Sequence, residues 1–235
     1  MTKILAIETA TEACSAALLI DDKVITSFKI APREHTKLIL SMMEEVLEKS
    51  QIKLKEIDAV AFSRGPGAFT GLRIAAGVAQ GVALSVDKPV IPVSTLACMA
   101  LQAVDQLTEN NEKIIVALDA RMGEVYWAVF EFKNGKVVRI GEEQVTKPEE
   151  MLANAQNNYQ ATHFIAIGTG WDEYQENLAV NTLSKINFIE KQLPSAESIA
   201  ILAKDLLLEG KAVTPEKAQP VYIRNKVAEK SKKIA

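Results

Sequence analysis

The sequence predicts an α/β protein made of two similar lobes. Two observations support this prediction. The order β-β-β-α-β-α-β-α occurs twice along the 235-residue chain, and an acidic residue ends the first strand of each half. Placing Ile4 on Ile115 puts Glu8 on Asp119, as expected for a duplicated unit.

The first half begins with three apolar runs separated by polar turns, which is typical of consecutive antiparallel strands. The turns are at 9–12 (TATE) and 21–23 (DDK). From His35 the apolar residues take helical spacing. We predict strands at 3–8, 14–20, 24–30, 57–63 and 89–93, and helices at 35–50, 70–86 and 95–107.

The second half repeats this order. Its turns contain Met122-Gly123 and Asn134-Gly135, and Asn-Gly is a strong hairpin signal. We predict strands at 114–119, 125–132, 136–145, 164–167 and 186–189, and helices after Pro148, near Trp171 and at 195–208. The boundary between the lobes is placed near residue 110. The predicted divisions are an N-terminal lobe at 1–110, a C-terminal lobe at 111–215 and a partly frayed tail at 216–235.

Composition limits the class of protein. The chain is 48% hydrophobic and 24% charged, with a formal net charge of -3, so it lacks the basic excess that unaided nucleic-acid binding needs. Cys14 and Cys98 form neither a disulfide framework nor a metal spacing, which favours a reducing compartment. The uncharged stretch at 74–86 is much shorter than the roughly 20 residues of a membrane helix. We expect a cytoplasmic protein with no membrane partner.

Turns that follow an acidic first strand can hold nucleotide phosphates in a cleft between two lobes, as in sugar kinases, Hsp70 and actin. The candidate residues are Thr9 and Thr11 in the first turn, Asp119 and Gly123 in the second, and Gly168 and Gly170 near the adenosine. Alternatively, these are ordinary turns in a fold that once bound nucleotide. That alternative is favoured because the first turn lacks Asp-x-Gly and carries Glu12, whose charge would repel a phosphate.

The string GPGAFTGLR at 65–73 is the most distinctive in the chain. Glycines beside a helix start, with Thr70 as the N-cap, would expose N–H groups to an anion. The candidate contacts are Arg64, Gly65, Gly67, Thr70, Gly71 and Arg73. A tight structural turn explains the string equally well. A Walker loop is excluded because the Gly-Lys-Ser/Thr ending is missing.

Two helices carry more apolar surface than one sheet needs. The apolar residues of the helix at 35–50 cover about 200°, whereas packing on a sheet takes about 100°. The helix at 70–86 has only Arg73 and Gln80 as long polar side chains, and Gly77 and Gly81 permit close approach of another backbone. We predict a partner surface made of Ile39, Met42, Met43, Val46, Leu72, Ala76 and Gln80. The alternative is that the other lobe or the neighbouring helix covers this arc.

The sequence offers little catalytic chemistry. Its two histidines, His35 and His163, are far apart in the chain and form no metal-binding motif. Ser63 and Ser94 have no base partner in a hydrolase-like pattern. We therefore predict no catalytic residue and no metal ligand in this chain.

Five strings together resemble one family: ILAIETATEACS at 4–15, PREHT at 32–36, GPGAFTGLR at 65–73, DARMGEVY at 119–126 and PVYIR at 220–224. They are similar to the bacterial TsaB (YeaZ) family over nearly the whole chain. The resemblance implies two RNase H-like lobes of the ASKHA type, the fold of actin, Hsp70 and sugar kinases. It also implies a role in forming threonylcarbamoyladenosine (t6A) next to the anticodon of tRNA.

The resemblance further implies a non-catalytic scaffold that pairs with a catalytic TsaD-like paralogue through the helices of the N-terminal lobe. A TsaE-like ATPase would be recruited, and the chain would pair with itself when the paralogue is absent. ATP, a metal and tRNA would be bound only in the complex. TsaD-like relatives carry a His-x-x-x-His pair where this chain has Thr95 and Met99, which cannot replace imidazole ligands. The alternative function is a small-molecule kinase of the ASKHA type.

Overall fold

The computed structural model describes residues 1–107, 112–159, 161, 163–174, 186–189 and 192–224. In the first half, the strands are β1 (Lys3–Glu8), β2 (Ala13–Ile20), β3 (Lys23–Ile30), β4 (Ala59–Gly65) and β5 (Val90–Ser94). The helices are α1 (His35–Ser50), α2 (Phe69–Ser85) and α3 (Thr95–Gln102). The apolar runs and the helical period predicted all of these elements, with ends displaced by a few residues.

In the second half, the strands are β6 (Lys113–Asp119), β7 (Val125–Lys133), β8 (Lys136–Thr146), β9 (Phe164–Ile167) and β10 (Ile186–Ile189). The helices are α4 (Pro148–Asn158), α5 (Thr169–Glu173) and α6 (Ala196–Leu208). Two ends differ in an informative way. Thr70 is not the N-cap of α2, because Ala68 holds that position. The helix predicted to reach 107 ends at Gln102 and continues as a 3-10 turn, Val104–Gln106.

The two halves build the same sheet. The first has the order β3-β2-β1-β4-β5 and the second the order β8-β7-β6-β9-β10. In each, the first three strands are antiparallel and the fourth lies parallel to the first. The duplicated α/β fold predicted from the sequence is confirmed.

The helices that end each half pack across the division between the halves. One face of the first sheet is covered by α1 and α2, and the other by α6, whose Ile199 joins a core with Ile4 and Ala61. Conversely, Leu96 and Met99 of α3 pack with strands of the second sheet. Each sheet therefore has one face covered by a helix from the other half. The predicted boundary near residue 110 lies outside the described residues.

A buried carboxylate joins the two sheets. Glu143 on β8 accepts two hydrogen bonds from Nη2 of Arg64 on β4, at 3.0 and 3.1 Å. It also accepts one from the Ser94 hydroxyl at 2.5 Å, and Arg139 lies 3.5 Å away. Because Ser94 caps the start of α3 as well, this carboxylate connects β4, β8 and α3.

The C-terminal segment crosses between the same two sheets. The Val221 N–H donates to the Arg64 carbonyl at 2.8 Å, and Arg224 forms an ion pair with Glu124 on the second sheet. The predicted tail is therefore held by these contacts as far as Arg224, and residues 225–235 lie outside the described residues.

Loss of the Glu143 charge should destabilise the fold. In Glu143→Gln, the largely buried Arg64 guanidinium loses its counter-charge, so we expect the free energy of unfolding in urea to fall by about 3 kcal/mol. Glu142→Gln is the matched control, because that side chain is 83% exposed and, among the described residues, pairs with the partly exposed Arg139. Its effect should stay below about 1 kcal/mol. Equal losses in the two variants would contradict a junction held by Glu143.

Candidate functional site

A cleft of about 850 Å³ lies between the turns that follow β1 and β6. Its walls are Ala10 to Glu12 of the first turn, Asp119 to Met122 of the second, the loop at 66–72, the start of α1 and the C-terminal segment at 221–224. The structure thus brings the two predicted nucleotide turns to one place. Of the predicted contacts, Thr11, Gly67, Thr70, Gly71 and Asp119 line the cleft, whereas Thr9, Arg64, Gly65, Arg73, Gly123, Gly168 and Gly170 do not.

The acid that ends each first strand holds its own turn. Oε1 of Glu8 accepts a hydrogen bond from the Ala10 N–H, and Oδ1 of Asp119 accepts one from the Arg121 N–H at 2.7 Å. In both cases the donor lies two residues beyond the acid. The alignment of Glu8 with Asp119 in the sequence therefore corresponds to a shared local geometry, in which a carboxylate closes a turn.

The two acids differ in their surroundings. Asp119 forms an ion pair with Arg121 at 3.0 Å and accepts a hydrogen bond from the Tyr174 hydroxyl at 2.9 Å. Glu8 is completely buried, and burial raises its pKa to about 7, although the N–H groups of Ala10 and Thr9 and the polar Ser63 hydroxyl lower it in part. Oε1 of Glu8 and Oδ1 of Asp119 therefore both accept hydrogen bonds from groups of this chain.

The glycine loop is a packing element against the first turn. A Cβ on Gly67 would lie 2.6 Å from the Ala10 carbonyl oxygen, and one on Gly71 would overlap the carbonyl of Thr9. The Thr9 hydroxyl donates to the Gly71 carbonyl at 2.8 Å, and the Ala68 N–H donates to Ala10. The string therefore contains glycine because two stretches of backbone touch, which is the tight-turn interpretation of this sequence.

The second sheet repeats this packing. A Cβ on Gly168 would overlap the carbonyl of Ala117, and Gly170 lies against the same residue and Val125. Between them, the Thr169 hydroxyl accepts a hydrogen bond from the Asp119 N–H at 3.2 Å. Gly168 and Gly170 therefore pack on β6 and β7, and it is Thr169 that lines the cleft.

The two arginines predicted to hold an anion have partners within the chain. Arg64 pairs with Glu143 at the junction of the sheets. The Arg73 guanidinium lies 3.9 Å from the centre of the Phe69 ring, and its Nε donates to the Tyr222 hydroxyl at 3.3 Å. Arg64 therefore does not line the cleft, and its guanidinium is already paired with a carboxylate.

Most of the predicted partner surface lies inside the first lobe. Met43 is only 4% exposed, and Ile39, Met42, Val46 and Ala76 belong to the same core, against Leu5 and Phe62. Leu72 is buried as well, and Gln80 donates to the Ala218 carbonyl at 2.9 Å. The prediction that Met43 faces solvent is wrong, because the first sheet covers the wide apolar arc of α1.

On both α1 and α2, the exposed face lies next to the face that carries the predicted partner residues. Leu40 of α1 is 55% exposed, and on α2 the exposed residues Phe69, Arg73, Gly77, Gly81 and Leu84 form one stripe. A Cβ on Gly77 or Gly81 would meet no atom within 4 Å. The four-residue spacing from Arg73 to the two glycines was the signal for this stripe in the sequence.

The remaining chemistry-bearing groups are buried or distant. Cys14 and Cys98 are free, buried thiols; burial raises the pKa of Cys14 to about 11 and that of Cys98 further. Thr95 and Met99 are fully buried. Within the described residues, no group of three or more His, Cys, Asp or Glu is placed to hold a metal. No helix in that part of the chain is long and apolar enough to cross a membrane.

Comparison with known proteins gives the family. The family model "TsaD: tRNA N6-adenosine threonylcarbamoyltransferase" matches residues 23–232. The tRNA threonylcarbamoyladenosine biosynthesis protein TsaB of Escherichia coli is 42% identical over 228 residues, 96% of each chain. The chain belongs to the TsaB family. The TsaB protein of Haemophilus influenzae is 38% identical, over 95% of this chain and 94% of its own.

Solved structures agree with the TsaB assignment. YeaZ from Pseudomonas aeruginosa has a TM-score of 0.84 at 37% identity, over 94% of this chain and 100% of that chain. The activator of 2-hydroxyisocaproyl-CoA dehydratase from Clostridium difficile has a TM-score of 0.51 at 10% identity, over 94% and 100% of the two chains. That second likeness, at 10% identity, shows the fold alone.

The glycine packing can be tested with two single substitutions. Gly71→Ala places a methyl group on the Thr9 carbonyl, so we expect it to lower the free energy of unfolding by about 1–3 kcal/mol. In contrast, Gly77→Ala meets open space within a helix and should raise it by about 0.5–1 kcal/mol. Urea titrations measure both. Opposite signs are expected, and two equal changes would contradict the assigned contact.

Proposed function

We propose that this TsaB-family chain acts in the biosynthesis of threonylcarbamoyladenosine in tRNA, as a subunit that performs no chemistry itself. The names of the E. coli and H. influenzae relatives support the pathway. The observation that carries the non-catalytic role is the internal use of the cleft's acids and glycines. Glu8 and Asp119 accept hydrogen bonds from N–H groups of their own turns, and Gly67 and Gly71 pack against the first turn.

The cleft does not fit the nucleotide of the wider fold family. The loop at 67–71 occupies the surface in front of Thr9 and Ala10, and Glu12 adds a negative charge to the wall. We therefore assign no ATP step and no metal step to this chain. In the proposal, a TsaE-like ATPase supplies ATP hydrolysis, and tRNA is bound only by the assembled complex.

A TsaD-like catalytic paralogue is the proposed partner. The TsaD family model matches residues 23–232 of this chain. A tRNA N6-adenosine threonylcarbamoyltransferase of Kosmotoga olearia is 28% identical over 110 residues. Related lobes carry equivalent helices, so a pair of helices here can pack on the matching pair of a paralogue. The same symmetry allows a homodimer when the paralogue is absent.

The proposed contact surface is the exposed face of α1 and α2, defined by Leu40, Phe69, Arg73, Gly77, Gly81 and Leu84. Arg73 is the only charged residue in the 17 residues of α2. An exposed face with so little charge is typical of a surface that is covered in an assembly. Phe69 and Arg73 both contact Tyr222, and such contacts within the chain would lower the entropy lost on association.

The catalytic assignment can be tested with purified components. The isolated chain with ATP and Mg²⁺ should hydrolyse ATP at rates far below about 1 per second, a common enzyme rate. Adding TsaD-like and TsaE-like proteins, tRNA, and a source of threonylcarbamoyl-adenylate should produce modified tRNA. Omitting this chain should abolish the product. Steady ATP turnover by the isolated chain would instead favour a kinase-like enzyme.

The surface can be tested with one charge on α1. Leu40→Lys leaves the monomer core untouched but places an ammonium in the proposed contact, so we expect binding to the TsaD-like partner to weaken at least about a hundredfold. Phe28→Lys, at a 47% exposed position on the edge strand β3, is the control and should bind normally. Calorimetry measures affinity, and thermal melts check folding. Full affinity in Leu40→Lys would place the contact elsewhere.

A further inference from the structure

A buried polar cluster lies where β1, β4 and α3 meet. We call Glu8, Ser63 and Thr95 the Glu8 cluster. Glu8 and Ser63 follow Ile7 and Phe62, which are neighbours in the parallel pairing of β1 with β4, so their side chains share one face of the first sheet. Cys98, one turn after Thr95 on α3, packs into the core on that face beneath α6.

The cluster contains polar atoms without partners. Oε2 of Glu8, Oγ of Ser63 and Oγ1 of Thr95 are buried, and within the described residues none has a hydrogen bond of normal geometry. All three residues are 0% exposed. A charged carboxylate in such a place is costly, because burial removes its hydration without a compensating contact.

No charged side chain of the described residues is among the causes that shift the pKa of Glu8. Burial raises that pKa to about 7, and the N–H groups of Ala10 and Thr9 and the polar Ser63 hydroxyl lower it in part. The titratable groups that feel its charge are the thiols of Cys14 on β2 and Cys98 on α3, both with raised pKa. The other groups facing the cluster are neutral hydroxyls, Ser15 on β2 and Ser195 on the start of α6, which are bonded to Ala196 and Gln102.

The cluster is connected to the wall of the cleft. Oε1 of Glu8 holds the Ala10 N–H. Ala10 in turn accepts the Ala68 N–H and lies against Gly67. A change at the carboxyl group of Glu8 therefore acts on the first turn and on the glycine loop before it acts on any other part of the cleft.

We propose that Glu8 is a proton-operated latch on the cleft. With the carboxyl group protonated, the cluster carries no charge, and the first turn stays closed against the glycine loop. Loss of the proton leaves a carboxylate in the cluster, which favours an open form in which water reaches Glu8 and the wall at 9–12 and 66–71 loosens. No atom other than this proton is exchanged.

The direction of the pH dependence follows from linkage. In the open form Glu8 has the ordinary pKa of an exposed carboxyl group, below its value of about 7 in the closed form. The closed form therefore binds more protons between these two values. Opening becomes more favourable as pH rises from about 5 to about 7, by at most tenfold per pH unit, and levels off above that.

Hydrogen exchange on the full chain, corrected for the intrinsic rate at each pH, tests the latch. In the wild type, we expect protection at 9–12 and 66–71 to fall at least about tenfold from pH 5 to 7. Glu8→Gln cannot ionise and its amide can donate to Ser63, so its protection should not change. The turn at 119–123, whose acid pairs with Arg121, is the control within the same molecule.

Two results would overturn the latch. One is the same pH profile in the wild type and in Glu8→Gln. The other is a uniform loss of protection across the molecule, including the core strand β7, because that would be a change in global stability. Should Glu8→Gln fail to fold, Ser63→Ala decides: it removes a hydroxyl group that lowers the pKa of Glu8, so the pH range of opening should move upward. An unmoved range would contradict the proposal.

Discussion

The close contact between the backbone of the glycine loop and the backbone of the first turn is the constraint on which the rest of the cleft depends. Gly71 and Gly67 lie directly on the carbonyls of Thr9 and Ala10, and no larger residue fits there. This contact sets where α2 begins, and with it the exposed stripe on that helix. The second sheet repeats the device, with Gly168 and Gly170 against Ala117. Both halves of the duplicated fold therefore have glycines packed directly against a backbone carbonyl.

The two acids that follow β1 and β6 have different surroundings. Glu8 is buried, and its carboxyl group accepts a hydrogen bond from the Ala10 N–H. Asp119 instead forms an ion pair with Arg121. Two acids at equivalent positions therefore have different chemistry because of their surroundings. At the junction of the two sheets, Glu143 forms an ion pair with Arg64. The positive charge of Arg64 is therefore not available to an anion.

The sequence predicted the positions of the strands and helices well, but it predicted less well which side of a helix is exposed. Strand and helix positions follow from the apolar period, which is local, and α1 was predicted at its observed ends. Most residues predicted for the partner surface are buried, because the width of an apolar arc does not say what covers it: Met43 packs on the sheet, and Leu40 is exposed. Glycines at 65–71 were predicted to be special, but two explanations remained open until their neighbours were known.

Sequence alone determined the family, the duplicated α/β order and the acid at the end of each first strand, because these are carried by residue type and local spacing. Tertiary structure decided which groups are available for binding. Arg64 binds Glu143 at a separation of 79 residues, Arg73 binds Tyr222 at 149 residues, and Arg224 binds Glu124 at 100 residues. The pairings also depend on how α3 and α6 cross between the sheets. Such contacts leave no local pattern, since they arise only when distant segments are packed together.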